Sequence, residues 1–267
     1  MNDWLAQEAL WRLLPFIGIF VMMGLWEIRA PRRTLRVNKR YRWINNLAIV
    51  LINTLLLRLF FPGAAVGIAL AAETHQWGLF HATPFSEWAP WIKIVCAVIA
   101  LDFLIWLQHV LFHALPVLWR LHRLHHADLD FDVTTGLRFH PLEILLSMGI
   151  KSGLIVLLGA PAVAVLLFEI LLNATAMFSH GNVRLPARLD RCLRWVFVTP
   201  DMHRIHHSWH PAETNSNYGF NLSCWDRLMG TYRSQPQDGH QAMTIGLSQF
   251  RDSRHLRLDR LLQQPFR

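Results

Sequence analysis

Residues 142–178 read LEILLSMGIKSGLIVLLGAPAVAVLLFEILLNATAMF, an apolar run of 37 residues that decides the fold class. A helix needs about 20 residues to cross a membrane, so this run is long enough for two crossings. Gly159, Ala160 and Pro161 lie near its middle, and a Gly and Pro pair at that position breaks a helix. The run therefore predicts a transmembrane helical hairpin.

Three more apolar runs precede this hairpin, at residues 11–28, 44–72 and 91–115. The first and the third have the length of single spans. Arg58 and the pair Pro62–Gly63 interrupt the second, which is either one kinked span or a span followed by a short interfacial helix. Only 16% of the residues are charged, where about 25% is usual for a soluble domain. We therefore predict an all-α integral-membrane helical bundle of about four to five spans.

The distribution of charge orients this bundle. Seven cations and no acid lie between residues 29 and 42, directly after the first apolar run. Such a cluster favours the cytoplasmic side and contact with anionic lipid, which argues against a nucleic-acid partner despite the net charge of +8. The later loops then alternate between the two sides. Residues 115–141 and 179–267 are thereby predicted to form a helical cap in the cytoplasm.

The histidines fall in a repeated pattern on that predicted cytoplasmic side. Residues 121–126 (LHRLHH) and 202–207 (MHRIHH) both contain HxxHH, and positions i, i+3 and i+4 share one face of a helix. Imidazole is the usual nitrogen ligand of Fe, Zn, Cu and Ni. Nine ligands are too many for one ion, so we predict two metal ions. The nine predicted ligands are His109, His113, His122, His125, His126, His180, His203, His206 and His207.

Other polar residues along the predicted spans are candidates to accept hydrogen bonds from the outer N–H groups of these ligands. Asp102 shares a helical stripe with the histidines of the third span. Glu169 and Asn173 share a stripe with His180 on the return arm of the hairpin. The acids of the polar loops are weaker candidates, namely Asp128, Asp132, Asp201 and Asp226.

The remaining six histidines are given other roles. His140 precedes a proline and is predicted to start a helix, whereas His210 could be a ligand or a structural residue. The four that fall outside the membrane or in the polar tail are excluded, namely His75, His81, His240 and His255.

Two non-enzymatic functions also use histidines in membrane proteins. A metal transporter or sensor would need ligands through the depth of the membrane, whereas the predicted ligands cluster at one face. A haem-binding cytochrome could use His109 and His180, but it would leave both HxxHH motifs unexplained.

The motifs resemble those of the integral-membrane fatty acid hydroxylase and sterol desaturase superfamily. The resemblance rests on QHVLFH at residues 108–113, HRLHH at 122–126 and DMHRIHHS at 201–208, with RFHPLE, SHGN, NYG and WDRLMGTY in support. It covers roughly residues 90–235. It implies an O2-dependent oxidoreductase that hydroxylates or desaturates a C–H bond of a fatty acyl, sterol or related lipid. The same nine histidines would hold its dinuclear metal site, which is usually iron.

The resemblance also implies partners and a domain organisation. The lipid substrate would enter from the bilayer, and a separate reductase or ferredoxin-like carrier would supply electrons. Zinc would bind the same ligands in purified protein. Residues 1–89 are expected to form N-terminal spans with a basic cytoplasmic loop, residues 90–235 the catalytic domain, and residues 236–267 a polar tail.

Overall fold

A computed structural model describes residues 7–267, which form helices and isolated β-bridges but no strands. The first six residues of the expected N-terminal region lie outside this described part. The helices are α1 (Glu8–Arg29), α2 (Lys39–Phe60), α3 (Ala64–Thr74), α4 (Pro90–Ala114), α5 (Pro116–His126), α6 (Pro141–Leu158), α7 (Ala162–Ser179), α8 (Ala187–Leu193), α9 (Pro200–His206), α10 (Pro211–Thr214), α11 (Cys224–Leu228), α12 (Gly239–Ala242) and α13 (Leu258–Gln263). Short 3₁₀ segments cover Leu79–His81, Phe85–Glu87, Thr135–Leu137, Ser253–Leu256 and Gln264–Phe266.

Five segments of the described chain are long and apolar enough to cross a membrane. They are Glu8–Arg29, Lys39–His81, Pro90–Ala114, Pro141–Leu158 and Ala162–Ser179. The prediction of an all-α integral-membrane bundle with four to five spans is confirmed.

The helical hairpin is α6 and α7, and its turn lies where the sequence predicted it. Gly159 ends α6 in the left-handed conformation, with a φ of 64°. A Cβ atom at this position would lie 2.3 Å from the carbonyl oxygen of Trp77. Glycine is therefore required both by the backbone conformation and by the close approach of the neighbouring loop.

The interrupted second run forms two helices in one candidate span. α2 ends at Phe60 and α3 begins at Ala64, because Pro62 in the connection cannot donate a backbone hydrogen bond. α3 packs against α6 and α7 through buried small residues that allow the helices to approach closely. These small residues are Ala65, Ala69 and Ala72.

The cap lies at one end of the bundle and holds the basic segment of residues 29–42. Arg42 is fully buried and pairs with Asp128 and Asp132, and Arg32 pairs with Asp201 at 3.0 Å. The expectation that this whole segment contacts anionic lipid is therefore wrong for Arg32 and Arg42, whose charges are neutralised by acids of the cap. The cations of the segment that stay exposed are Arg29, Arg36 and Arg40.

The C-terminal tail packs against the cap. The backbone N–H of Leu258 donates to Asn45 Oδ1 of α2 at 2.8 Å, and Arg120 Nε of α5 donates to the carbonyl of Pro265 at 2.8 Å. Leu256 and Leu261 of the tail are buried. The tail therefore helps to fix the helix that carries the first HxxHH motif.

Candidate metal centre

Four segments of the chain bring their histidines to the same place, at the junction of the bundle and the cap. His109 and His113 lie in the last turns of α4, His180 directly follows α7, and the two HxxHH motifs lie on α5 and at the end of α9. Each helix presents its histidines on one face because of its 3.6-residue period. All but one of the nine are buried, and His113 is partly exposed.

The nine imidazoles form two groups whose candidate ligand atoms all lie within 4.8 Å of one another in each group. The five-histidine group contains His109, His113, His122, His126 and His206. The four-histidine group contains His125, His180, His203 and His207. The groups adjoin, since the rings of His126 and His207 stack with centroids 4.6 Å apart. Each group could hold one metal ion.

Backbone carbonyls fix the tautomers in the five-histidine group. His109 Nδ1 lies 2.7 Å from the carbonyl oxygen of Tyr218, and His206 Nδ1 lies 2.8 Å from that of Ser216. A carbonyl only accepts, so each Nδ1 carries the proton and each Nε2 carries a lone pair. These two Nε2 atoms are 3.0 Å apart. Two lone pairs facing each other at this distance repel, and a cation bound by both nitrogens would remove the repulsion.

The four-histidine group repeats this arrangement. His180 Nδ1 lies 2.8 Å from the carbonyl of Ala176, and His125 Nδ1 lies 3.2 Å from the carbonyl of Arg138. Their Nε2 atoms approach to 3.2 Å. In each group, nitrogens that carry no proton therefore converge, and such a donor set fits a transition-metal ion.

Burial keeps these side chains in the form that binds metal. Desolvation lowers the pKa of His122 to about 3. Desolvation likewise lowers the pKa of His180 to about 3, although a hydrogen bond to the Ala176 carbonyl opposes the shift. Both rings are neutral at physiological pH, so metal does not have to compete with a proton.

One carboxylate contacts a histidine of the groups, and sequence analysis did not single it out. Glu143 in the first turn of α6 is buried, and its Oε1 lies 2.6 Å from His122 Nδ1. The carboxylate accepts from Nδ1, so His122 also turns Nε2 toward its group. The sequence did contain a signal for Glu143, because this acid belongs to the RFHPLE motif and lies at the start of the apolar run of residues 142–178.

The three residues predicted to support the ligands lie elsewhere. Asp102 accepts from Trp225 Nε1 at 2.7 Å. Glu169 forms ion pairs with Lys151 and Arg12, and Asn173 donates to the Glu169 carbonyl at 2.8 Å. None of the three contacts a histidine of the two groups. Each shares a helical stripe with a histidine, but its side chain contacts a neighbouring residue other than the histidines.

Asp226 of α11 supports His109 through the backbone that follows the second HxxHH motif. Its carboxylate accepts from the backbone N–H groups of Tyr218 and Gly219, both at 2.9 Å. It also accepts from Trp106 Nε1 at 3.1 Å. These bonds hold the Tyr218 carbonyl against His109.

A buried ionic cluster fixes the loop after the first HxxHH motif. Arg42 donates to both oxygens of Asp128, at 2.9 Å and 2.8 Å, and also contacts Asp132. Arg138 lies 3.7 Å from Asp128. Burial alone would raise the pKa of Asp128, but the charges of Arg42 and Arg138 outweigh burial and hold it well below its ordinary value.

The histidines that were assigned other roles stay outside the two groups. The ring nitrogen Nδ1 of His140 accepts from the backbone N–H of Leu142 at 3.2 Å, so His140 caps α6. His210 pairs with Asp238 at 2.7 Å on the surface. The excluded residues His75, His81, His240 and His255 are also absent from both groups.

A cavity of about 580 Å³ reaches from the membrane-spanning helices to the five-histidine group. His109, His122 and Glu143 line one end. Residues of α1, α2, α4, α6 and α7 line most of the remainder, so the cavity lies in the part of the molecule that the bilayer surrounds. This membrane cavity has the volume of a site for a lipid-sized molecule.

The sequence profile of the fatty acid hydroxylase family matches residues 94–231, which is just over half of the chain and includes all nine histidines. The chain belongs to the fatty acid hydroxylase family. Membership makes it an oxidoreductase embedded in the membrane. No solved structure matches the chain.

Several characterised members of the fatty acid hydroxylase family are similar to the chain. An ornithine lipid hydroxylase of Rhizobium tropici is 28% identical over 86% of the chain and 69% of its own length. A human alkylglycerol monooxygenase is 25% identical over 68% of the chain, which spans only 40% of that protein. Human cholesterol 25-hydroxylase is 25% identical over 50% of the chain and 48% of its own length.

The two non-enzymatic alternatives fit the family and the geometry less well. All nine histidines lie at one end of the bundle and not along a path through it. His109 and His180, the pair available to a haem, belong to different groups. The chain is therefore an oxidoreductase that acts on lipid, and its two groups of histidines could each hold a metal ion.

Proposed function

We propose that this enzyme hydroxylates an unactivated C–H bond of a membrane lipid with O2, at a pair of iron ions held by the nine histidines. The observation that carries the proposal is that the membrane cavity ends on His109 and His122, two members of the five-histidine group. A lipid chain in the cavity would therefore place a carbon directly beside the metal position. Bound iron would supply the activation of O2.

The residues of the chain prepare the site before iron binds. The carbonyls of Tyr218 and Ser216 hold two Nε2 lone pairs toward the metal position. Glu143 does the same for His122. Since these groups are already oriented, metal binding requires little rearrangement, and the buried surroundings keep bulk water away from the oxidant.

Hydroxylation fits the cavity better than desaturation. Gln108 and Asn53 line it, and their side-chain oxygens accept no hydrogen bond from the described residues. Both side chains are more than nine-tenths buried. A new hydroxyl group on the product could donate to either oxygen, whereas a new double bond would leave both without a partner.

The stoichiometry requires a partner. Insertion of one oxygen atom into a C–H bond and reduction of the second atom to water consume two electrons and two protons. We propose that a separate reductase or ferredoxin-like carrier supplies the electrons. The partial exposure of His113 beside Asn215, at 3.2 Å, marks the place where the metal centre comes nearest to the surface.

We propose that the cap faces the cytoplasm. The segment of residues 29–42 packs on the cap and still exposes Arg29, Arg36 and Arg40. Exposed cations next to a span favour the cytoplasmic side. We keep residues 90–235 as the proposed catalytic domain, although α1 and α2 also line the membrane cavity.

The test combines metal analysis with lipid analysis. The chain is expressed in a host that lacks it, and lipid extracts with and without the chain are compared by mass spectrometry. We expect lipids that gain one oxygen, and about two metal ions per purified chain. The matched control is His210→Ala, outside both groups, compared with His203→Ala within the four-histidine group. A chain that contains no metal and leaves every lipid unchanged would refute the proposal.

Zinc in aerobically purified protein would not decide the matter, because it binds the same nitrogens. Reconstitution with Fe(II) under anaerobic conditions, followed by O2 and a chemical reductant, tests iron directly. We expect product only in the iron-loaded sample. Equal product from zinc-loaded protein would refute the assignment of iron.

A further inference from the structure

Three cations of the membrane-spanning segments line the membrane cavity. They are Arg12 of α1, Arg58 of α2 and Lys151 of α6. A charged side chain at this depth is unfavourable unless it is paired or reaches water, so such residues commonly mark a functional site. The proposed metal centre explains none of the three.

Nearby acids neutralise only part of this charge. Glu169 of α7 pairs with both Lys151 and Arg12, and Glu8 lies 2.6 Å from Arg12 Nε. Among residues 7–267, three cations thus face two acids at this end of the cavity. Arg58 is exposed and forms no ion pair with the described residues. Within the described residues, the end of the cavity away from the histidines therefore carries one positive charge in excess.

The charged end of the cavity lies at a distance from the histidines. Lys151 follows Glu143 by eight residues on α6, or about 12 Å at the helical rise of about 1.5 Å per residue. Glu169 precedes His180 by eleven residues, or about 16 Å on the same basis. The wall between the two ends includes Met148.

We propose that the oxidised lipid carries an anionic group, a phosphate or a carboxylate, that binds at Arg58, Arg12 and Lys151. This inference rests on the proposed oxygenase function and adds the substrate class to it. The anion supplies the missing negative charge, and the arginines offer the paired N–H donors that such groups bind. The apolar chain then runs along the cavity to His109 and His122. The oxidised carbon lies roughly 12–16 Å from the anion, on the chain and not in the headgroup.

A purely structural role for these charges predicts different behaviour. Glu169 with Lys151 and Arg12 could simply join α7 to α6 and α1, and Arg58 could extend toward the membrane surface. In that case the cavity would bind charged and neutral lipids alike. A preference for anionic over neutral lipids that depends on Arg58 therefore distinguishes the proposed anion site from a purely structural role.

The experiment measures lipid binding to the full chain in nanodiscs of phosphatidylcholine, which has no net charge. Native mass spectrometry counts bound palmitate, hexadecyl phosphate and methyl palmitate, an ester of the same chain length without the charge. The test variant is Arg58→Gln, which breaks no ion pair among the described residues. The matched control is Arg40→Gln, an exposed arginine at the other end of α2 that does not line the cavity.

We expect the wild type and the control to bind one or both anions more tightly than the ester, by about ten-fold for one charge-assisted contact. Arg58→Gln should lose this preference and keep its affinity for the ester. Binding of both anions indicates general recognition of negative charge, and binding of hexadecyl phosphate alone indicates a phospholipid. Equal binding of all three lipids by the wild type, or an unchanged preference in Arg58→Gln, would overturn the proposal.

Oxidation by the iron-loaded enzyme separates this proposal from the oxygenase function. Hydroxylation of palmitate beyond the middle of its chain supports both, whereas hydroxylation next to the carboxylate overturns the proposed position of the anion. If the enzyme oxidises only the neutral ester, the anion site is wrong and the oxygenase function stands. If palmitate binds through Arg58 but no lipid is ever oxidised, the anion site stands and the oxygenase function fails.

Discussion

Asp128→Asn tests whether the buried ionic cluster positions the metal ligands. Asp128 lies two residues after His126, at the end of the first HxxHH motif, and both of its oxygens accept hydrogen bonds from Arg42 of α2. Asparagine has nearly the same shape but carries no charge and offers one acceptor oxygen. Arg42 pairs with two carboxylates, and the substitution removes the charge of one of them. The buried guanidinium is then left with Asp132 as its partner.

The expected loss is large because every charged group in the cluster is fully buried. Removing one partner of a buried pair usually costs about 3–5 kcal/mol. At roughly 2–4 °C per kcal/mol for a chain of this size, the melting temperature should fall by about 10 °C. The first HxxHH motif should also lose its fixed position, so the metal content of the variant should fall.

The assay is thermal unfolding of the full chain in detergent, together with metal analysis of the same samples. Asp259→Asn is the matched control, because Asp259 pairs with Arg257 on the exposed surface, where such pairs contribute about 0–1 kcal/mol. Melting of Asp128→Asn at the same temperature as the control, with full metal content, would show that the cluster does not hold the site.

Four further experiments give distinct results. Glu143→Gln should weaken metal binding by roughly 10- to 100-fold, because His122 loses a charged acceptor; Glu213→Gln, a buried acid outside the site, is the control in a metal titration. Asp102→Asn should keep its metal affinity and lose about 1–2 kcal/mol of stability, since Asp102 bonds to Trp225; a weaker metal affinity would restore its predicted role. Chelation should lower the melting temperature of the wild type, because it leaves converging lone pairs unopposed, and an unchanged melting curve would contradict the metal assignment. Single changes of four histidines to alanine should each lower metal content and abolish activity, namely those of His122, His125, His203 and His206. Full metal retention in all four variants would refute the ligand assignment.

Features set by local sequence could be predicted well. The turn at Gly159–Pro161 is marked by residue type alone, and the structure has it there. The spacing of the HxxHH motifs places three rings on one helical face, and the structure brings all nine predicted histidines into two groups. Both predictions use only residue types and spacings within a short segment of the chain.

Features that depend on contacts between distant segments could not be predicted. The carbonyls of Tyr218 and Ser216 that orient His109 and His206 are backbone atoms, so no residue type announces them. Asp102 shares the helical stripe of His109, yet its partner is Trp225, more than a hundred residues away. A stripe identifies the face of a helix but not the neighbour that the face meets.

The division of each HxxHH motif between the two groups has a consequence for assembly. On α5, His122 and His126 belong to one group and His125 to the other. On the second motif, His206 belongs to one group, and His203 and His207 to the other. Each of these two helices therefore ties the two metal positions together, so a variant that displaces either helix should lose both ions and not one of them. The metal content of such a variant should fall toward zero without a population that holds a single ion.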